Sequence, residues 1–186
     1  MKIKHLIVVI VSLSIFSCSG SNSEKKVINQ GGRMPDLEKL LSSKDTTSCI
    51  SKIMDYIFKL CNYGEKIENL TDEQKNFYLI TVCEGEINNG GINQFYFNSS
   101  GDFSHETVTA LTAIGAQKTA NIIKTANDQF PNKSVPQDRV KRQEILAQIE
   151  AKANKVWDEL DDKFYSYPDK LDKLIFDYVL KNKDKF

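Results

Sequence analysis

The sequence predicts one all-α domain, a compact bundle of six or seven helices, and three observations carry that reading. Apolar residues recur at intervals of three and four from Ile50 to Tyr178, the repeat of a helix with one buried face. No stretch alternates apolar and polar residues with period two, the mark of a half-buried strand. Gly and Pro fall between the periodic stretches, at Gly64, Gly90-Gly91, Gly115, Pro131, Pro136 and Pro168, where helices stop or turn. With 186 residues the chain has room for one sizeable core and not for two, and it contains no internal repeat. Positions 35–186 read as the domain.

The elements follow in order. Asp36–Leu41 makes a short helical turn after Pro35. From Thr47 a stripe of Ile50, Ile53, Met54, Ile57, Leu60 and Cys61 faces inward, with Ser51, Lys52, Asp55 and Lys59 opposite. Thr71-Asp72-Glu73-Gln74 is a capping box whose two acids suit the helix dipole. The helix it opens carries Phe77, Ile80 and Ile87 inward and runs to Asn88-Asn89-Gly90-Gly91. Each glycine costs a helix about 1 kcal/mol relative to Ala. The pair therefore predicts a kink or a close backbone approach, after which Ile92, Phe95 and Tyr96 resume a short stripe. Ser104 begins a helix with Val108, Leu111 and Ile114 on one face, and Gly115 ends it. Ala116 to Asn127 continues through Ala120 and Ile123 and closes at Phe130-Pro131. The longest pattern follows Pro136, with Leu146, Ile149, Ala153, Val156/Trp157, Leu160 and Phe164 aligned. Pro168 opens a last helix with Leu171, Leu174, Ile175 and Tyr178 inward.

The first residues read as an address. Lys2, Lys4 and His5 form a positive segment before the apolar run Leu6–Phe16, whose eleven residues fall short of the ~20 needed to span a bilayer. Ile15-Phe16-Ser17-Cys18 resembles the lipobox of bacterial lipoproteins, with Phe16 bulkier than the usual residue there. The resemblance implies a signal peptide over 1–17 and lipidation of Cys18, which would hold the protein in the cell envelope by its acyl chains alone. Ser19 in place of an inner-membrane Asp directs it to the outer membrane if the source has two membranes. Residues 18–34, rich in Ser, Gly, Asn and Lys, read as a flexible tether with a reach of roughly 20–24 Å.

Composition excludes several functions. The net charge is zero, which argues against nucleic-acid binding. After His5 the only histidine is His105, in the first turn of a helix, a position that suits a solvated side chain. Neither a metal site, a cofactor site nor a Cys-His or Ser-His-Asp mechanism is expected, and no catalytic residues are assigned. Glu84 and Glu86 lie about 200° apart around a helix and do not form a pair. Cys49 and Cys61 are about 18 Å apart along one helix and cannot bridge. Buried free thiols are the simpler expectation, with a bridge from Cys83 to either left open.

Two features point toward binding. Asn88, Asn89, Asn93, Gln94 and Asn98 surround the Gly90-Gly91 break, either as a network that fixes a broken helix or as the lining of a ligand cleft. Residues 65–115 carry eight acids against two bases, a net of −6, whereas 116–186 carry a net of +2. Glu84, Glu86, Asp102 and Glu106 belong to this acidic stretch, and with Asn88, Asn89, Gln94 and Asn98 they are the candidate binding residues. Gly90, Gly91, Phe95 and Gly101 are the structural positions of the motif. Charged runs such as Asp158-Glu159 with Asp161-Asp162, or Arg139 with Lys141-Arg142, read as solvated helix faces.

The run from Thr71 to Tyr78, and above all Glu86-Ile87-Asn88-Asn89-Gly90-Gly91-Ile92-Asn93-Gln94-Phe95-Tyr96-Phe97-Asn98-Ser99-Ser100-Gly101-Asp102, resembles a bacterial domain family named after a DNA mimic protein. The likeness continues through Glu106-Thr107-Val108 and Ala113-Ile114-Gly115-Ala116 and spans roughly Leu70 to Tyr178. It implies an all-helical domain without an established catalytic activity. With surface charge and no recognisable catalytic set, the chain is expected to bind a protein partner through its acidic surface, in the manner of an inhibitor, an immunity-type protein or a DNA mimic. The resemblance also brings a homodimer among the expectations. The family's named member is strongly acidic and occupies a transcription regulator; this chain has balanced charge and a signal leading away from such regulators. A small-molecule-binding or hydrolytic cleft at the Asn-Asn-Gly-Gly kink is the alternative, with Asn88, Gln94 and Asn98 pointing inward and unpaired.

Overall fold

The computed structural model describes residues 34–186. The expected signal peptide, Cys18 and the tether up to residue 33 lie outside the described residues. Among the described residues there are seven α-helices and no strand. They are α1 (Leu37–Leu41), α2 (Thr46–Leu60), α3 (Asp72–Phe97), α4 (Ser104–Ala113), α5 (Gln117–Asn127), α6 (Arg139–Tyr165) and α7 (Leu171–Lys181).

Local chemistry starts these helices where the sequence signals it. Asp45 accepts the Ser48 N–H at 2.9 Å to open α2, and Asp138 accepts that of Lys141 at 2.9 Å to open α6. Both halves of the Thr71/Gln74 capping box form. A more distant residue starts α5: Asp169, beyond the end of α6, accepts from the Thr119 N–H at 2.8 Å and the Thr119 hydroxyl at 3.0 Å.

Helix α3 is the axis of the bundle. Phe77, Tyr78, Leu79 and Ile80 are buried in succession, so the helix is covered on more than one side. Its largest partner is α6, and α4 packs on it as well. The α6 stripe is buried at Leu146, Ala153, Trp157, Leu160 and Phe164, as its spacing predicts, while Ile149 and Val156 of the same stripe are only partly buried against the core. The deepest packing is aromatic: Tyr96 lies 4.8 Å from Phe130 and 5.2 Å from Trp157, centroid to centroid, within the range where such rings attract. Polar tips in this cluster are satisfied, Tyr96 Oη on Asn127 Oδ1 at 2.7 Å and Trp157 Nε1 on the Ala126 carbonyl at 3.3 Å. Phe186 is fully buried against Phe77, 5.8 Å away.

The structure adjusts several stripes, with Ile50 and Met54 of α2 only partly buried. In α7 the buried residues are Leu171, Ile175 and Val179, an i, i+4 row; Tyr178 is half-buried, and its hydroxyl accepts from Asn76 Nδ2 at 3.1 Å. In α4 Thr107, Ala110 and Leu111 turn inward while Val108 stays half-exposed. Cys49, Cys61 and Cys83 are all buried free thiols.

Candidate functional site

The Asn-Asn-Gly-Gly segment breaks α3 without ending it. Gly90 has φ −152°, ψ 20°, and Gly91 has φ 77°, ψ −178°, a region open only to glycine. Past such a break the helix restarts with amides that lack partners in the preceding turn. Asp161 on α6 supplies one, accepting the Ile92 N–H on Oδ1 at 2.9 Å. On the other side of the break Tyr165 Oη donates to the Ile87 carbonyl at 2.9 Å. Gly91 also gives Asp161 its space, since a Cβ there would lie 2.5 Å from Oδ2. Burial raises the Asp161 carboxyl above its ordinary value; the Ile92 N–H opposes this and the nearby Asp158 and Asp162 add to it.

Asp161 corrects the reading of 158–162 as a wholly solvated face, and Arg142 corrects the same reading of 139–142. Arg142 is fully buried. Its Nε donates to the Tyr96 carbonyl at 2.7 Å and Nη1 to those of Pro136 at 2.7 Å and Gln137 at 3.1 Å. Its Nη2 donates to the Asn98 carbonyl at 2.8 Å and to Asp102 Oδ1 at 2.5 Å. One guanidinium thus satisfies the carbonyls at the C-terminal end of α3 and in the loop before α6, a use its planar fork of donors permits. Gly101 is where this group fits, because a Cβ there would stand 2.6 Å from Nε. The available sequence signal was position: Arg142 lies one turn ahead of Leu146 on the buried stripe.

The five amides do not converge. Asn88 is exposed and donates to Tyr167 Oη at 2.7 Å, and Glu84 lies near the same hydroxyl. Burial raises the Glu84 carboxyl, the Tyr167 hydroxyl opposes this, and Asp172 adds to it. Asn93 donates to Glu150 Oε1 at 2.9 Å and to Asn154 Oδ1 at 3.3 Å. Gln94 and Asn98 meet on one acceptor, donating to Glu86 Oε2 at 2.7 and 2.8 Å. Asn89 is exposed beside them. Glu84 and Glu86 face different neighbours, as their angular separation requires. Phe95 is buried against Tyr96 at 5.1 Å. The paired amides of Asn88, Gln94 and Asn98 do not form the inward, unpaired set that a small-molecule or hydrolytic cleft requires.

The acidic stretch is unevenly presented. Glu65, Glu68 and Asp72 are exposed. Asp102 is neutralised by Arg142, and Glu106 accepts from Gln137 Nε2 at 3.3 Å. His105 is exposed, and its Nε2 accepts the Val135 N–H at 3.2 Å. Among the described residues no group of three or more His, Cys, Asp and Glu is placed to hold a metal ion, and no helix is long and apolar enough to cross a membrane.

Comparison with curated proteins and with solved structures finds no match. Comparison with protein families finds one: the DMP19-like protein family matches residues 68–182, the span from the loop before α3 through α7. That span is more than half of the chain and contains the whole Gly90-Gly91 break with its Asp161 and Arg142 supports, and the chain therefore belongs to the DMP19-like protein family.

Proposed function

We propose that this chain is a lipid-anchored protein of the cell envelope whose helical domain docks on a basic protein partner. Family membership supports a protein-binding domain of the DNA-mimic type. The observation that carries the charge preference is that Glu65, Glu68 and Asp72 are each exposed along the segment that leads from α2 into α3, with Lys66 exposed among them. Like charges kept in solvent steer an oppositely charged partner and speed its arrival more than they tighten the complex. Imitation of a long phosphate array is not part of the proposal, because the net charge is zero and Asp102 is spent on Arg142. The lipobox-like Ile15–Cys18 sequence supports the anchor.

The test is capture from envelope extracts by the full chain, beside a variant with Glu65, Glu68 and Asp72 changed to Lys. The expected result is a stoichiometric basic partner that is lost in the variant and released by salt. An identical captured set in both would overturn the reading. For the anchor, Cys18→Ser should move the protein from the membrane to the soluble fraction; retention in the membrane would exclude lipidation at Cys18.

A further inference from the structure

Between α2 and the break in α3 lies an open groove of about 560 Å³ that the acidic trio does not use. Its apolar floor comes from Met54 and Phe58 of α2 and Val82 of α3. At one end stands Glu86, held by Gln94 and Asn98, whose amides both donate to Oε2. Among the described residues Oε1 has no hydrogen-bond partner. Two donors on one oxygen hold the carboxylate in place and leave the other oxygen to a ligand. Gly90 is what lets Gln94 lie this way, since a Cβ there would overlap its side chain.

From this geometry we infer that the groove receives one arginine or lysine side chain of the protein partner. Its methylene stem lies over Met54, Phe58 and Val82, and its cationic head sits on Glu86 Oε1. The occupant follows from complementarity. An acidic side chain would meet Glu86 with like charge, and a wholly apolar one would strip water from the carboxylate without replacing it. A side chain with an apolar stem and a positive end satisfies both parts of the groove. The inference rests on the protein-binding reading above and names the chemistry of one contact within it.

The probe is the blocked amino acid N-acetyl-arginine methylamide, titrated into the full chain in detergent, with the norleucine analogue as the uncharged control. The readout is the side-chain amide signals of Gln94 and Asn98 in nitrogen–proton spectra. Two variants test the site without disturbing the core. Glu86→Gln keeps the shape and removes the charge. Gly85→Leu fills the groove from a position where an added Cβ meets nothing within 4 Å. The expected result is a saturable shift of both amides with arginine, at least tenfold weaker in Glu86→Gln and for norleucine, and absent in Gly85→Leu. No saturable shift, or the same titration in Glu86→Gln, would overturn the inference. Envelope capture separates this from the earlier reading. If both groove variants retain a partner that the Glu65/Glu68/Asp72 variant loses, the groove is wrong and the acidic docking face stands. If the arginine probe saturates but no partner is captured, the groove stands as a site for a cationic side chain, while the earlier reading falls and with it the assignment of that side chain to a protein partner.

Discussion

The carboxylate of Asp161 accepts the backbone N–H of Ile92 at 2.9 Å across 69 residues of sequence, so a side chain of α6 caps the second half of α3. Asp161→Ala should therefore cost about 0.5–2 kcal/mol, as loss of a helix cap does. The pH dependence has a definite sign. Burial, reinforced by Asp158 and Asp162, raises this carboxyl despite the Ile92 N–H. Between its ordinary and raised values the folded protein holds the proton more tightly than the unfolded chain. The group's contribution to stability is thus lost as pH rises through that window. Urea unfolding of wild type and Asp161→Asn between about pH 3 and pH 7 reads it, since Asp titrates near 3.9 when unperturbed. Wild-type stability relative to the variant should decline with pH. A difference that grows with pH would reverse the assignment.

Two glycines in the same helix should respond oppositely to alanine. Gly91 has φ 77° and would place a Cβ 2.5 Å from Asp161 Oδ2. Gly91→Ala should destabilise by roughly 1–3 kcal/mol from backbone conformation alone, and more once Asp161 moves aside. Gly85 is helical and an added Cβ meets nothing within 4 Å, so Gly85→Ala should stabilise by about 0.5–1 kcal/mol. Thermal unfolding compares them, at about 2–4 °C per kcal/mol for a chain of this size. Shifts of the same sign would refute this account of the break.

Arg142 holds five acceptors at once. Arg142→Met leaves those carbonyls and Asp102 without a donor and should cost about 3–5 kcal/mol, in the range for breaking a buried pair. Arg142→Lys should recover only part of this, because an ammonium cannot reproduce the fork. Gly101→Ala should cost about 1–3 kcal/mol by crowding the same guanidinium and the Tyr96 carbonyl. A Met variant within about 1 kcal/mol of wild type, near the net worth of one ordinary hydrogen bond, would show that the network is dispensable.

The three thiols should be silent in the folded protein. Burial pushes Cys49, Cys61 and Cys83 above the ordinary thiol range, so little reactive thiolate forms. Ellman's reagent should label none of the three in the native protein and all of them in denaturant. Rapid native labelling at any of them would show local opening.

Much of this was legible because local cost leaves a local mark. The Gly90-Gly91 pair announced a broken helix, and the 100° step between helical residues placed Glu84 and Glu86 on different sides. Arg142 and Asp161 were not legible. Charge argues for solvent on any short window, and the carbonyls and amide that bring these two groups into contact with α3 and its C-terminal end lie 44 to 69 residues away. The amides show both sides of this. Their density around the break was plain, but only packing sent Asn88 to Tyr167, Asn93 to Glu150, and Gln94 with Asn98 to Glu86.

The order of residues alone determined the all-helical class, the capped starts of α2, α3 and α6, the break at Gly90-Gly91 and family membership, because periodicity, capping and glycine cost act within a few positions. Tertiary structure alone decided which charges are buried and which acids remain in solvent. Satisfying a desolvated donor or acceptor depends on groups that meet only once the chain has folded.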